Sequence, residues 1–153
     1  MQISNCFSLV RFKYISPKCV TLIDKIESVQ RQFTKRLPGC SKLSYLDRLK
    51  ICNLETVEYR SIVMDLCLVF KIVYGLIAIP FNSVFEHNTN QTRGHKHKIT
   101  VPNVKTTTRQ HFFSVRVISA WNALPEEVIQ SASIYSFKCR LKKIDLTKYL
   151  IIN

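Results

Sequence analysis

The sequence predicts a mainly α fold, a small helical bundle with one irregular basic loop or short strand segment between its helices. Apolar residues make up 46% of the 153-residue chain, which is enough for a hydrophobic core. Several segments place apolar residues three and four positions apart, the spacing of one helix face. The chain has only 3 glycines and 5 prolines, which disfavours a β-sandwich built on many tight turns. This length has room for one domain or for two small helical lobes.

The first predicted helix covers residues 21–36 and has an apolar and a basic face. Its apolar residues are spaced four, three and four positions apart and should face the core: Leu22, Ile26, Val29 and Phe33. Its polar residues are largely basic: Lys25, Arg31, Gln32, Lys35 and Arg36. This basic face fits a nucleic-acid contact and an ordinary solvated surface equally well. The Leu-Pro-Gly sequence of residues 37–39 is expected to end the helix.

Two further helices are predicted before residue 80. Residues 44–52 should form a short helix that Ser44 can cap. Residues 55–74 should form the central helix, which is expected to be buried because apolar residues cover most of its circumference. Gly75 suits the left-handed conformation that often ends a helix. The expected core residues of the central helix include Leu66 and Phe70.

The C-terminal half is predicted to be irregular over residues 79–108 and helical again from residue 109. Residues 99–104 should form either a short strand or an extended arm. The stripe of the next helix is spaced four, four and three positions apart: Phe113, Val117, Trp121 and Leu124. A last amphipathic helix should begin at Ser133 and direct Phe137 toward the core. Trp121 is therefore expected to anchor the two C-terminal helices to each other.

The charge of the chain indicates an anionic partner. Lys and Arg number 23 against 10 Asp and Glu, which gives a net charge of +13. Nucleic acid is the usual partner of such a chain, and an anionic membrane surface is the second candidate. No acidic residue lies between Glu86 and Glu126, and the basic residues of that stretch are Arg93, Lys96, Lys98, Lys105, Arg109 and Arg116. The stretch also holds all four histidines, interpreted as phosphate contacts: His87, His95, His97 and His111. A solvated loop with unorganised charge is the alternative.

A membrane partner and secretion are not expected. Residues 61–81 are long enough to cross a bilayer, but Asp65 and Lys71 interrupt them. Each charge costs about 2.5–3.5 kcal/mol at the centre of a membrane helix. The first 14 residues lack the basic start and cleavage site of a signal peptide. The 6 cysteines match no compact disulfide pattern, so free thiols and an intracellular location in the nucleus or cytoplasm are expected.

The sequence offers no catalytic site. Two-metal nucleotidyl transfer needs clustered carboxylates, whereas the aspartates stand apart: Asp24, Asp47, Asp65 and Asp145. The adjacent pair Glu126 and Glu127 follows a proline at a predicted helix start, where the helix dipole favours acids. Zinc binding at His95 and His97 is disfavoured, because no cysteine pair at zinc-finger spacing accompanies them. We expect no catalytic residue, metal or cofactor in this chain.

Six short motifs carry the clearest family signal. They are residues 26–39 (IESVQRQFTKRLPG), 43–49 (LSYLDRL), 65–75 (DLCLVFKIVYG), 92–95 (TRGH), 112–117 (FFSVRV) and 121–125 (WNALP). In this order and at this spacing they resemble the region after the palm domain in reverse transcriptases of non-LTR (LINE-type, jockey-like) retrotransposons. The chain departs from the family at Phe70, where a tyrosine is usual, and at Tyr59, where paired arginines are usual. Residues 1–14 match poorly.

The resemblance implies a fragment of an RNA-directed DNA polymerase, comprising the thumb and the C-terminal extension. It implies four segments: a poorly defined arm (residues 1–18), a thumb-like lobe (19–80), a basic linker (81–111) and a C-terminal helical segment (112–148). The partner would be RNA or an RNA–DNA hybrid, and the missing palm domain or another protein chain is a further candidate. Mg²⁺ would belong only to the full-length parent, and the fragment would be inactive alone.

Two sets of residues are expected to have defined roles. Nucleic-acid contacts are expected at Arg31, Lys35, Arg36, Arg93, Lys96, Lys98, Arg109 and Arg116. Core positions are expected at Phe33, Leu66, Phe70, Phe113, Trp121 and Phe137. The alternative function is a basic helical protein that binds another protein chain and has no nucleic-acid activity.

Overall fold

The computed structural model describes residues 20–89, 94–110 and 112–150, and these residues are mainly helical, which confirms the predicted fold class. The α-helices are α1 (Val20–Lys35), α2 (Tyr45–Ile51), α3 (Val57–Val73), α4 (Thr107–Gln110), α5 (Phe113–Asn122), α6 (Glu126–Ile129) and α7 (Ile134–Leu141). Single 3-10 turns occupy Phe81–Ser83 and Thr147–Tyr149. Among the described residues, no helix is long and apolar enough to cross a membrane.

The predicted capping residues define several helix boundaries. The hydroxyl of Ser44 accepts a hydrogen bond from the N–H of Asp47 at 3.2 Å and so caps α2. Ser133 caps α7 in the same way, at 3.1 Å from the N–H of Ser136. Gly75 has a φ of 63°, the left-handed conformation that lets the chain turn after α3 with little strain. These local signals could be read from the sequence, because each acts within one turn of helix.

The described chain divides into two compact units. We call them the N-terminal unit, residues 20–62 with 146–150, and the C-terminal unit, which comprises the described residues of 63–145. The division falls inside α3, between Ile62 and Val63.

This division differs from the predicted domain boundaries. The expected lobe of residues 19–80 is cut within α3, because the second half of α3 packs against the later helices. The described part of the expected linker, residues 81–111, belongs to the C-terminal unit and contributes Phe85 and Ile99 to the core. The expected arm, residues 1–18, lies outside the described residues.

Polar side chains occupy much of the interior of the N-terminal unit. Helix α1 turns Glu27 and Thr34 inward, at 4% and 0% exposure. The Glu27 carboxylate accepts hydrogen bonds from the Tyr45 hydroxyl of α2 and, at 2.8 Å, from the N–H of Val57 at the start of α3. The Thr34 hydroxyl accepts one from Nε of Arg48 at 3.2 Å. A buried polar group left without a partner costs about 1–3 kcal/mol, so these bonds make the polar interior possible.

The rotation of α1 overturns one core prediction. Phe33 is 62% exposed and Val29 is 68% exposed, so the assignment of Phe33 to the core is wrong. A second set of α1 residues has the same spacing of four, three and four positions: Ile23, Glu27, Gln30 and Thr34. Helical periodicity could not choose between the two stripes. Hydrogen bonds to α2 and α3 decided the choice.

Aromatic rings form the core of the C-terminal unit. Phe70 of α3 stacks on Phe137 of α7 with ring centroids 4.5 Å apart, and Trp121 of α5 lies 6.2 Å from Phe137. Phe70, Trp121, Phe137 and Leu66 are each no more than 2% exposed, which confirms these four core predictions. Phe113 is partly buried.

Side chains of α5 hold the irregular segment that precedes it. The indole Nε1 of Trp121 donates a hydrogen bond to the carbonyl of His97 at 2.8 Å. The Asn122 amide accepts from the N–H of Ile99 at 2.9 Å and donates to its carbonyl at 2.8 Å. Ile99 also forms an isolated antiparallel bridge with His87. Residues 99–104 are predicted to form a short strand or an extended arm. The first of them, Ile99, is held by the bridge to His87 and by the side-chain amide of Asn122.

An ion pair joins α3 to α5. Nε and Nη2 of Arg116 donate to Oδ2 of Asp65 at 2.9 and 2.7 Å. Burial raises the pKa of Asp65, and the charge and hydrogen bonds of Arg116 act against that rise. Asp65, which interrupts the apolar run of α3, therefore helps to pack α3 against α5.

Replacing Trp121 by alanine should unfold the C-terminal unit. Truncating a buried tryptophan costs about 3–5 kcal/mol, a large share of the roughly 5–15 kcal/mol that stabilises a typical domain. Thermal unfolding followed by circular dichroism measures the loss. Trp121→Phe is the matched control, because it keeps an aromatic ring but loses the hydrogen bond to His97, and it should lose less stability than Trp121→Ala. An unchanged melting temperature for Trp121→Ala would show that the ring is not a core anchor.

His95 is buried against α5, at 2% exposure. Its Nε2 lies 3.1 Å from the carbonyl oxygen of Trp121, so the neutral ring carries its proton on Nε2 and donates it. Its Nδ1 is buried and has no hydrogen-bond partner within the described structure. Burial lowers the pKa of His95, and the charges of Lys98 and His97 lower it further. The hydrogen bond to the Trp121 carbonyl and the charge of Glu126 act in the opposite direction.

The C-terminal unit should lose stability as the pH falls below 6.5, the ordinary pKa of histidine. In the unfolded chain His95 takes up a proton near pH 6.5, whereas in the folded protein it does so only at lower pH. The stability that neutral, buried His95 contributes is therefore complete above pH 6.5 and declines below it. Urea unfolding at about pH 7.5 and 5.5 measures the effect. His95→Gln should reduce this pH dependence, and His87→Gln, at an exposed histidine, should leave it intact. Equal pH dependence in wild type and His95→Gln would rule out the assignment.

Candidate nucleic-acid interface

The predicted cations of the N-terminal unit lie along α1. Lys35 is the last residue of α1 and Arg36 follows it, and both side chains are exposed. The helix dipole favours positive charge at this end. Lys25, near the other end of α1, is exposed as well. These three side chains project into solvent, where an anion can approach them without disturbing the interior.

Arg31 of α1 is held in place by two contacts. Its Nη2 lies 2.6 Å from Oδ1 of Asp24, and its guanidinium carbon lies 5.6 Å from the centre of the Tyr45 ring. Both members of the ion pair are substantially exposed. An exposed pair of this kind contributes only about 0–1 kcal/mol. Arg31 is therefore oriented by its neighbours and can exchange Asp24 for a phosphate at little cost.

Arg48 supports this surface from inside and was missed by the sequence analysis. It is 7% exposed, and it donates hydrogen bonds to the Thr34 hydroxyl and, at 2.5 Å, to the carbonyl of Leu43. These bonds join the end of α1 to the turn before α2 and to α2 itself. Nothing in the sequence separates such an arginine from a solvated one, because its partners are a hydroxyl and a carbonyl rather than an acid.

A cleft of about 260 Å³ lies in the N-terminal unit. Its lining residues are Ile23, Glu27, Arg31, Tyr45, Leu46, Thr56 and Glu58. Burial raises the pKa of Tyr45 to about 12, and the hydrogen bond to Glu27 acts in the same direction. The Tyr45 hydroxyl therefore stays protonated at physiological pH and serves as a fixed donor to Glu27. This arrangement suits structural support rather than proton transfer.

The predicted cations of the C-terminal unit are more dispersed. Lys96 and Arg109 are exposed, and Lys98 is partly buried. Arg93 lies outside the described residues. Arg109 lines a second cleft, of about 230 Å³, together with Glu86, so an anion in this cleft would meet a carboxylate as well as a guanidinium.

Arg116 differs from the other predicted contacts. Its side chain is only 17% exposed, and two of its N–H groups are directed at the buried carboxylate of Asp65. Breaking a buried pair leaves an uncompensated charge, which is strongly destabilising. The geometry thus favours a structural role for Arg116 over the predicted contact with nucleic acid.

The histidines do not form one phosphate-binding group. His95 is buried, so its predicted phosphate contact is wrong. His87 is exposed, with its ring 4.0 Å from that of Phe81, and His97 is partly buried. His111 lies outside the described residues. Within the part of the chain that the structure describes, no group of three histidine, cysteine or acidic side chains is placed to hold a metal ion.

Comparison with known proteins does not identify this chain. No family model, no curated protein and no solved structure matches the chain. The resemblance to the retrotransposon family therefore rests on the six sequence motifs, and the candidate surface rests on the exposed cations of α1.

Proposed function

We propose that this chain binds RNA or an RNA–DNA hybrid through the exposed cations of α1. We further propose that it is the thumb and C-terminal extension of a non-LTR retrotransposon reverse transcriptase and has no polymerase activity alone. The observation that carries the binding proposal is the exposure of Lys25, Lys35 and Arg36 along one helix of a chain with a net charge of +13. A chain with this charge repels itself unless it binds an anion.

The spacing of the α1 cations suits a phosphate backbone. Lys25 and Arg36 are separated by roughly 16 Å along the helix axis and by about 20° around it, from the rise and turn of an α-helix. A nucleic-acid strand carries a negative charge about every 3.4 Å of its axis. A row of this length can therefore neutralise more than one phosphate.

The carboxylates support the proposal that the fragment lacks polymerase chemistry. No two aspartates are adjacent in the chain. Asp24 pairs with Arg31, the carboxylate of Asp47 accepts a hydrogen bond from Ser44, and Asp65 pairs with Arg116. These acids orient helices and arginines, whereas a two-metal site needs carboxylates that converge on one point.

A protein-binding function is the second candidate, and exposed apolar side chains of the N-terminal unit favour it. The most exposed of them are Val29, Phe33, Leu46 and Ile51, each more than 60% exposed. Contiguous exposed apolar surface commonly marks an interaction site. Co-purification with a protein partner, without any nucleic-acid binding, would favour this function over the first.

Binding to a short RNA–DNA hybrid should weaken steeply as salt is added. Each phosphate neutralised should lower log K by about 0.7–0.9 per tenfold rise in salt, because condensed counterions are released on binding. Fluorescence anisotropy between about 50 and 200 mM salt measures the slope. An affinity that does not change over this range would refute the proposal.

Neutralising the end of α1 should remove a defined part of that slope. The double variant Lys35→Gln, Arg36→Gln should bind more weakly and lower the slope by about 1.4–1.8, twice the value for one phosphate. The double variant Lys142→Gln, Lys143→Gln is the matched control, because it removes two exposed lysines from the C-terminal unit. Equal losses in both variants would assign binding to overall charge rather than to α1.

The purified chain should not extend a primer on an RNA template in the presence of Mg²⁺. The reason is the isolation of its aspartates in the sequence. The assay is nucleotide incorporation against a heat-inactivated sample of the same protein. Incorporation above that control would contradict the assignment to a region outside the catalytic palm.

A further inference from the structure

The ring of Phe33 on α1 is exposed and does not pack in the interior of the N-terminal unit. Its side chain is 62% exposed although the flanking Thr34 is fully buried. Val29, one helical turn earlier, is 68% exposed, and Ile26 is 37% exposed. The three side chains form a continuous apolar strip on the outer surface of α1, because residues three and four positions apart lie on one helix face.

Polar side chains border this strip, and those at its two ends are cations. With about 100° of rotation per residue, Lys25, Gln32 and Arg36 fall within about 40° of one another, directly beside Val29 and Phe33. The two acids of α1 point elsewhere: Asp24 pairs with Arg31, and Glu27 is buried. The strip and its border therefore carry positive charge only, which complements a polyanion that also has apolar faces.

We propose that Phe33 is a base-stacking residue and that the ligand of α1 is single-stranded RNA. This inference rests on the proposed nucleic-acid function and narrows the ligand from RNA or an RNA–DNA hybrid to an unpaired RNA strand. Arg36, three positions after Phe33, binds the phosphate next to the stacked nucleotide. An aromatic face accepts any base, because every base has a π face. A duplex hides those faces by pairing and stacking, so the ring distinguishes an unpaired strand from a helix.

The cationic border favours this ligand over an apolar protein segment. A nucleotide supplies a flat ring for Phe33 and a phosphate for Arg36 within one repeating unit, which is the pairing used by single-strand binders. A protein segment would need its own row of acids beside an apolar stripe to match the same surface. That partner is the alternative outcome of the experiment below.

The binding test compares Phe33→Leu with wild type on oligouridine and on an RNA–DNA hybrid of the same length. Leucine keeps an apolar side chain but removes the ring. Affinity for the single strand should fall by about 5- to 150-fold, the range found when a stacking aromatic is removed, and affinity for the hybrid should not change. Equal single-strand binding by both proteins overturns the inference, leaves the salt-dependent function standing, and favours an apolar protein partner. No binding by wild type at any salt refutes the function itself.

A fluorescent variant tests stacking without relying on affinity. Phe33→Trp places an exposed indole at the site, whereas the native Trp121 is fully buried. Oligouridine should quench the new fluorescence if the ring stacks on a base. Leu46→Trp is the matched control, because Leu46 is 64% exposed in the same unit but lines the cleft with Glu27 and Glu58. Quenching of the indole at position 33 alone supports the inference, and absence of quenching there at saturation overturns it.

Discussion

The inward-facing carboxylate of Glu27 is the constraint on which the N-terminal unit depends. It accepts one hydrogen bond from Tyr45 of α2 and one from the first N–H of α3, which has no partner within its own helix. One side chain thus fixes three helices. Thr34 and Arg48 add a second link between α1 and α2. Each bond matters because a buried polar group without a partner is costly.

The outward rotation of Phe33 follows from this constraint. A helix has one buried side, and in α1 Glu27 and Thr34 occupy it. Val29 and Phe33 must then face outward, next to the cations of the same helix. The surface that could meet a partner is therefore a consequence of a polar interior. The motif at residues 26–39 contains the inward acid and hydroxyl, the outward ring and the terminal cations, so one short segment carries both the packing and the proposed function.

The C-terminal unit uses polar side chains in a different way. Here the core is aromatic, and the polar groups fix the chain that surrounds it. Trp121 and Asn122 hold the backbone at His97 and Ile99, which gives an irregular segment a defined path without a sheet. Asp65 and Arg116 join α3 to α5. A segment with many polar residues can thus be part of a core when neighbouring side chains satisfy its backbone groups.

The sequence by itself determined the helical class, most helix boundaries and the aromatic core around Trp121. These depend on local caps such as Ser44 and Ser133, and on the many large apolar residues of α3, α5 and α7. Tertiary structure decided which of two equally spaced stripes of α1 is buried, because the partners of Glu27 and Thr34 lie on other helices. It also decided that Arg48 and His95 are buried and that Arg116 faces a carboxylate. The sequence does not show whether an arginine or a histidine is solvated or buried, because that depends on its neighbours in space.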